Sequence, residues 1–371
     1  MPAPIRLTVV FSRGMSLRGW QQAGILDREL ALYQRLRAHL DQLTFVTYGG
    51  ADEQALAAAV PGAHVLCNRW RLPANVYSVL APVLHGAALL GTTHVRTNQL
   101  NGAWMAARIA RQTKARLIAR GGFLWSDFVA RLHPGSWRVR AAQSLERRVY
   151  TAADAVVATT AADAAVITRR YRLAPERVHV VPNFVDTAQF RLSTEGRASN
   201  RVLFVGRLDP QKNLVALLDA LNGLDATLDI VGDGPLRASL ETHAAVRGGR
   251  VRFLGTRPHA ELPALMQAAT IFVLPSAYEG HPKALLEAMA CGAPVVGAAS
   301  PGITDVIQDD VTGVLAAPVA SDLHSALAAL LNDGARRARL GAAAAAYVQR
   351  TCSLDAVAAQ ELQIWQSLAA R

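Results

Sequence analysis

Two glutamates, Glu279 and Glu287, stand eight positions apart in the segment Pro-Ser-Ala-Tyr-Glu-Gly-His-Pro-Lys-Ala-Leu-Leu-Glu-Ala-Met-Ala-Cys-Gly-Ala-Pro, residues 275–294. The first falls in a loop rich in Gly and Pro. The second falls in the first or second turn of an amphipathic helix. Between them Gly280, His281, Pro282 and Lys283 suit a helix start with a cation beside it. A helix start offers free backbone N–H groups and the positive end of a dipole, so it favours phosphate. A carboxylate a turn or two further in accepts hydrogen bonds from a diol. The arrangement fits a sugar joined to a nucleoside through a diphosphate.

A second Gly-containing segment reads Leu203-Phe204-Val205-Gly206-Arg207-Leu208-Asp209-Pro210-Gln211-Lys212-Asn213. A buried strand runs into Gly206, where a bare backbone lets a ligand come close. Arg207 can grip phosphate in fork geometry, and Lys212 adds a compact charge at the next helix start. Such cations would stabilise charge building on a leaving diphosphate. Only three of the 39 basic residues are lysine, a bias that reflects genome composition. Yet two of the three, Lys212 and Lys283, sit in these two segments. The plain alternative is a pair of structural turns with surface cations.

The elements that must position these residues follow from the rest of the chain. At 371 residues two domains are expected. A hydrophobic content of 51% with 18% charged excludes global disorder. The longest apolar stretch, 79–90, is broken by Pro82, His85 and Gly86, and 5–11 is too short for a secretory leader. A cytoplasmic protein without a membrane span is expected. Three scattered cysteines form no metal-ligand spacing and no disulfide framework. Residues 1–185 hold 23 Arg and Lys against 10 Asp and Glu, while residues 186–371 hold 16 against 18. The excess positive charge therefore lies in the first half, which suits an anionic membrane surface or a phosphorylated acceptor. Nucleic acid ranks lowest, because no nucleic-acid motif is present.

Short β-rich runs alternate with helical stretches. In the first half strands are expected at 5–11, 43–47, 65–67, 94–97, 116–119, 155–158 and 178–181. A loop with Gly14, Gly19 and Trp20 follows the first strand. An amphipathic helix is expected at 25–40, a buried helix at 76–90 and another helix at 102–112. Residues 182–200 read as a linker. Beyond it strands are expected at 202–205, 227–231, 251–254, 271–274, 295–297 and 314–316. Pro235 is placed as a first-turn proline, and the last helices cover 335–349 and 354–368. Alternation of this kind implies right-handed βαβ units, parallel sheets, and ligand at the carboxyl ends of the strands.

Gly206-Arg207 with Lys212-Asn213, Val231-Gly232-Asp233-Gly234-Pro235, the Glu279/Glu287 pair and Gly292-Ala293-Pro294-Val295-Val296 follow one another in that order. This succession resembles the retaining glycosyltransferases of family 4, which have the GT-B fold. The resemblance covers most of residues 180–320. Arg28-Glu29-Leu30-Ala31-Leu32-Tyr33 and Arg96-Thr97-Asn98-Gln99 look like stretches of bacterial members. It implies an α/β protein of two doubly wound Rossmann-like domains facing across a cleft. Residues 1–183 would form the acceptor-side domain, 184–352 the nucleotide-sugar-binding domain, and 353–371 a helix crossing back to the first.

The resemblance also implies roles. Arg207 and Lys212 would bind the donor diphosphate beside Gly206, and Glu287 the ribose hydroxyls. Glu279 would contact the transferred sugar near its reacting face, with the backbone at 280–283 holding sugar hydroxyls and phosphate. Thr256 and Arg257 would face the base. Gly14 and Gly19 would belong to a loop closing over the phosphates. Many relatives carry a histidine after the middle strand of the first domain, where this chain has Arg120-Gly121-Gly122. Either Arg120 takes an electrostatic role there, or the glycine backbone admits the sugar. Asp127 reads as a helix cap, and His281 either touches the donor or lies on the surface. The implied enzyme is a metal-independent hexosyltransferase without a cofactor, using a nucleotide diphosphate sugar and a saccharide or lipid-linked acceptor in envelope or exopolysaccharide synthesis. It would work in the cytoplasm, on the inner face of the membrane. The other readings are a GT-B epimerase or phosphorylase, and a non-catalytic sugar-nucleotide-binding subunit.

Overall fold

The computed structural model describes residues 4–193, 196–245 and 250–369. The chain forms two compact units, the first from residues up to Pro182 together with those from Val357 onward, the second from Asn183–Ala356.

The first unit is a parallel sheet of seven strands wrapped by helices. In chain order these are β1 (Arg6–Val10), α1 (Leu17–Gln22), α2 (Leu26–Leu36), β2 (Gln42–Val46), α3 (Glu53–Leu56), β3 (Ala63–Leu66) and α4 (Ala74–Leu84). There follow β4 (His94–Thr97), α5 (Ala103–Thr113), β5 (Arg116–Arg120), α6 (Trp125–Leu132), α7 (Trp137–Ala152), β6 (Ala155–Ala158), α8 (Ala161–Tyr171) and β7 (Val178–Val180). The strand order is β3-β2-β1-β4-β5-β6-β7. Central strands such as Leu7-Thr8-Val9-Val10 are buried on both faces, as a parallel sheet covered by helices requires.

The second unit repeats the plan with six parallel strands. It contains β8 (Arg201–Val205), α9 (Leu214–Ala220), β9 (Thr227–Val231), α10 (Arg237–Ala245), β10 (Val251–Gly255), α11 (Leu262–Ala268) and β11 (Ile271–Leu274). Then come α12 (Lys283–Ala290), β12 (Val295–Ala298), β13 (Val314–Ala316), α13 (Ala320–Asn332) and α14 (Gly334–Thr351). The order is β10-β9-β8-β11-β12-β13. A final helix, α15 (Leu354–Ala369), belongs to the first unit from Val357 onward.

That last helix is tied to the first unit by charge. Glu361 is fully buried and accepts from Arg96 Nη2 at 2.7 Å and from Arg120 Nη1 at 3.0 Å. Arg96 also donates to Tyr33 Oη at 2.9 Å. The family-like stretches around Tyr33 and Arg96 thus converge on one buried carboxylate. Burial alone would push the Glu361 carboxyl up, but the Arg96 and Arg120 charges outweigh it and hold the carboxyl below the usual range.

Several expectations are corrected. Gly19 and Trp20 lie in the short helix α1, not in a loop, and the Gly19 N–H donates to Ser16 Oγ at 2.9 Å. Asp127 caps no helix: it lies inside α6 and pairs with Arg170 at 2.7 Å, while buried Glu146 accepts the Ser126 N–H at 2.9 Å. Pro235 stands two residues before α10, because Arg237 opens that helix. The expected linker is docked, not loose: Val185 and Phe190 sit in the core of the second unit, and Thr194 and Glu195 lie outside the described residues. The helix expected to be buried at 76–90 is α4, and it is buried on one side only.

Replacing Glu361 with Gln leaves two guanidinium groups facing each other in the core, and a loss of about 3–5 kcal/mol is expected at neutral pH. Because its folded pKa is depressed, the Glu361 contribution is complete above the ordinary carboxylate value of about 4.3 and is lost as pH falls through the lower folded value. Urea unfolding of both proteins across pH 3–7 measures this. The wild type should lose stability on acidification more steeply than Glu361→Gln.

Candidate functional site

The order of strands in the second unit reverses direction between β8 and β11. In such sheets a crevice opens at the carboxyl ends of the two strands that flank the reversal. The chain leaving β8 is Gly206-Arg207, and the chain leaving β11 is Pro275 to Glu279. Residues far apart in sequence are thereby neighbours. Lys212 Nζ lies 2.5 Å from Glu279 Oε1, and Gln211 Nε2 donates to Tyr278 O at 2.8 Å. Both partners of the ion pair are largely buried. Arg207 is different: its side chain is 70% exposed, with Nε held by Asp209 at 2.7 Å, so its fork is presented outward.

Glycines seat each of these loops closely on its neighbour. A Cβ at Gly232 would lie 1.9 Å from Gly206 O, and Gly232 also has φ +129°. A Cβ on Gly302 would lie 2.3 Å from Gly280 O and 2.4 Å from Glu279 O, while the Glu279 N–H donates to Pro301 O at 2.9 Å. The loop carrying Glu279 therefore rests directly on backbone. Gly302 was not among the residues singled out from sequence.

The helix behind this loop, α12, is not amphipathic. Every side chain from Leu285 to Ala290 is buried. Glu287, in its second turn, is 3% exposed. His259 Nε2 lies 2.9 Å from Glu287 Oε1, and the His259 ring packs on Phe190 at 5.0 Å between centroids. His259 was missed in the sequence, since it stands alone and 28 residues from its partner. Thr256 and Arg257, expected nearby, are exposed at the end of β10, and Arg257 faces Glu261 at 3.7 Å.

Pro282 precedes α12, and its carbonyl accepts the Leu286 N–H at 3.2 Å. The backbone N–H groups of the first turn have no carbonyl within the helix to bond. His281 is buried rather than on the surface. Its Nδ1 accepts the Asn183 N–H at 3.2 Å, and its carbonyl accepts Asn183 Nδ2 at 2.8 Å. Those bonds fix Nδ1 as an acceptor, so the neutral ring carries its proton on Nε2. Lys283 Nζ stands 5.5 Å from the Phe184 ring centroid. Among the described residues, Asp209 Oδ1 and Ser276 Oγ are buried without a hydrogen-bond partner. Buried polar atoms of this kind are costly unless something meets them.

In the first unit the corresponding reversal lies between β1 and β4. There Gly14 sits in the exposed loop after β1 with φ +80°, and Arg13 N donates to Asn101 O at 2.9 Å. Buried Glu53 accepts the Arg18 N–H at 2.8 Å and anchors the start of α1. Arg120 points into the first unit's own core, toward Glu361 and the carbonyls of Val181 and Pro182. Its charge is therefore engaged by protein groups.

Two family models match this chain: Glycosyltransferase Family 4 over residues 30–189, and Glycosyl transferases group 1 over residues 187–347. The chain is 32% identical over 352 residues to D-inositol 3-phosphate glycosyltransferase of Salinispora tropica, with 82% of this chain and 72% of that relative covered. In fold it is similar to Anabaena HepE, solved in complex with UDP, at a TM-score of 0.79 and 21% identity, covering 98% of this chain and all of the other. Sucrose-phosphate synthase from Thermosynechococcus elongatus gives the same TM-score and identity over 98% and 99% of the two chains.

Gly232→Ala tests the close seating of the loop after β9 on the loop after β8. The new methyl meets a carbonyl, and the backbone conformation is one that alanine rarely adopts. A loss of at least about 2 kcal/mol is expected in urea unfolding.

Proposed function

Because this chain belongs to the glycosyltransferases of family 4, with the GT-B fold, we propose that its second unit holds a nucleotide diphosphate sugar at the crevice between β8 and β11. The observation that carries this reading is the contact of Lys212 with Glu279, beside the start of α12 and with Glu287 one helix turn behind. Arg207 and Lys212 bind the diphosphate and stabilise its charge as the glycosidic bond breaks. Glu279 holds the sugar near its reacting face, and the backbone at 280–283 with His281 binds sugar hydroxyls and phosphate. Glu287 accepts from the ribose diol, and His259 fixes the orientation of that carboxylate. Thr256 and Arg257 border the base.

Lys212 is engaged by Glu279. Binding of the diphosphate draws the ammonium toward phosphate and frees Glu279 for the sugar. The transfer is retaining: the acceptor hydroxyl approaches the face the diphosphate leaves, and the departing phosphate oxygen takes its proton. The protein contributes position and field, and no metal is required. Gly14 gives the loop after β1 the left-handed turn that a phosphate-binding loop uses. Gly19, whose N–H is engaged by Ser16, supports that loop from α1. Arg120, matched by Glu361, serves the frame of the first unit rather than the transfer.

The acceptor is a saccharide or a lipid-linked glycan of the envelope, met by the first unit at the inner face of the membrane. The excess of basic residues in the first half, with Arg138, Arg140, Arg147 and Arg148 exposed on α7 or at its start, supports this. Likeness to an enzyme named for inositol 3-phosphate makes an anionic polyol the second class of acceptor to test.

Thermal shift with UDP-, GDP- and ADP-sugars identifies the base, since a ligand bound only to the native state raises the melting temperature. UDP-sugars are expected to give the largest shift, and no shift with any of them would end this reading. Arg207→Ala and Lys212→Ala should each lower turnover at least about tenfold, equal to about 1.4 kcal/mol of barrier. His259→Phe keeps the packing on Phe190 but removes the bond to Glu287, so the donor KM should rise several-fold while kcat changes less.

A further inference from the structure

Helix α4 is built inside out. Its polar side chains face the core: Tyr77 Oη is 2.9 Å from His85 Nε2, and Ser78 Oγ is 2.6 Å from Tyr48 Oη. Its outer face carries Val76, Val79, Leu80, Val83 and Leu84, all exposed, with Val83 at 69%. Spacing of three and four residues places them along one stripe. Leu90 continues the apolar surface beyond the helix at 74% exposure. No Arg, Lys, Asp or Glu occurs between Arg71 and Arg96. An ordinary surface helix of this length would carry charge on that stripe.

The surroundings of the stripe are cationic. Helices α4, α5 and α7 lie side by side on one face of the sheet, α5 in the middle. A cavity of about 490 Å³ on α5 and α7 is lined by Arg108, Arg111, Lys114, Arg116 and Arg148, with Asp154 the one acidic residue. Arg140 and Arg147 line a second cavity on α7. Exposed aromatic rings flank the helix starts: Trp70, with Arg69 at 4.6 Å from its ring, precedes α4, and Trp137 opens α7 at 74% exposure. Helices of successive parallel units run the same way, so both rings sit at one end of the layer.

We propose that this helix layer docks on an anionic lipid bilayer, with α4 lying in the interface plane and its aliphatic stripe among the acyl chains. The charge pattern selects the occupant. A second copy of the chain on the same face would set the α5 and α7 cations against their equals, an unfavourable arrangement for a symmetric pair. A bilayer with anionic headgroups takes the stripe and the cations together. Tryptophan at the edge of the layer suits the headgroup level. Among the described residues no helix is long and apolar enough to cross a membrane, so attachment is to one leaflet. The proposal deepens the membrane part of the functional reading and is independent of the transfer reaction.

Flotation with vesicles of phosphatidylcholine containing phosphatidylglycerol tests it, without donor or acceptor. The wild type should float with these vesicles, retain part of its binding in 0.5 M salt, and sediment as a monomer without lipid. Val79→Glu/Val83→Glu should weaken binding at least about tenfold. Arg147→Glu/Arg148→Glu should lose the salt-sensitive part alone. Both variants should melt like the wild type and keep any thermal shift given by a UDP-sugar, and Val83→Ser should give a smaller loss in the same direction. Wild type that stays with the soluble fraction overturns the proposal. So does a glutamate variant that floats equally well, or a lipid-free dimer that the glutamates split. Absence of a UDP-sugar shift with intact flotation would sink the transferase reading and leave this one standing.

Discussion

Lys212 and Glu279 are 67 residues apart, and they touch because a parallel sheet changes winding direction between β8 and β11. That constraint organises the second unit. Right-handed crossovers on opposite faces leave the ends of β8 and β11 uncovered, and the loops that leave them must share the gap. Each of these loops is seated on the one beside it. Gly232, after β9, and Gly302, after β12, stand where a Cβ would collide with a carbonyl of the loop leaving β8 and of the loop leaving β11 respectively. Charge, turn and topology therefore cannot be altered separately. The buried helix α12 then carries Glu287 to the same place from behind, with His259 as its partner.

In the first unit the organising group is a carboxylate rather than a lysine. Glu361 joins β4 through Arg96 and β5 through Arg120, and Arg96 carries the link on to Tyr33 of α2. Buried ion pairs give little net stability over apolar packing, but they fix register, because an unpaired charge in the core is costly. The same network explains the arginine at the end of β5. With its charge matched by Glu361, Arg120 is part of the frame of the first unit.

Much of this was legible in the sequence. Strand positions and the two-fold recurrence of the α/β plan followed from runs of apolar residues, and the placing of Lys212 near Glu279 followed from the order of the motifs. Family membership and the GT-B fold, expected from the order of the motifs, are supported by the matched family models and the relatives of similar fold. What escaped was long-range. His259 gives no signal until α12 is folded beside it. Gly19 reads as loop because glycine is a poor helix former, yet Ser16 caps a short helix through it. Asp127 reads as a cap, but Glu146 from the next helix takes that task. An apolar run such as 76–90 suggests burial, because hydropathy cannot say which side of a helix meets the sheet. There the polar residues won the interior by bonding one another.

The dependence of the first unit on Glu361 has a consequence for synthesis. Domains emerging from the ribosome usually fold from the N-terminus as they appear. Here the sheet of residues 6–180 can form early, but Arg96 and Arg120 meet the Glu361 carboxylate only after some two hundred further residues have been translated. The second unit, continuous in sequence, faces no such wait. The part of the chain made first is thus completed last, when the final helix brings its carboxylate to the two guanidinium groups.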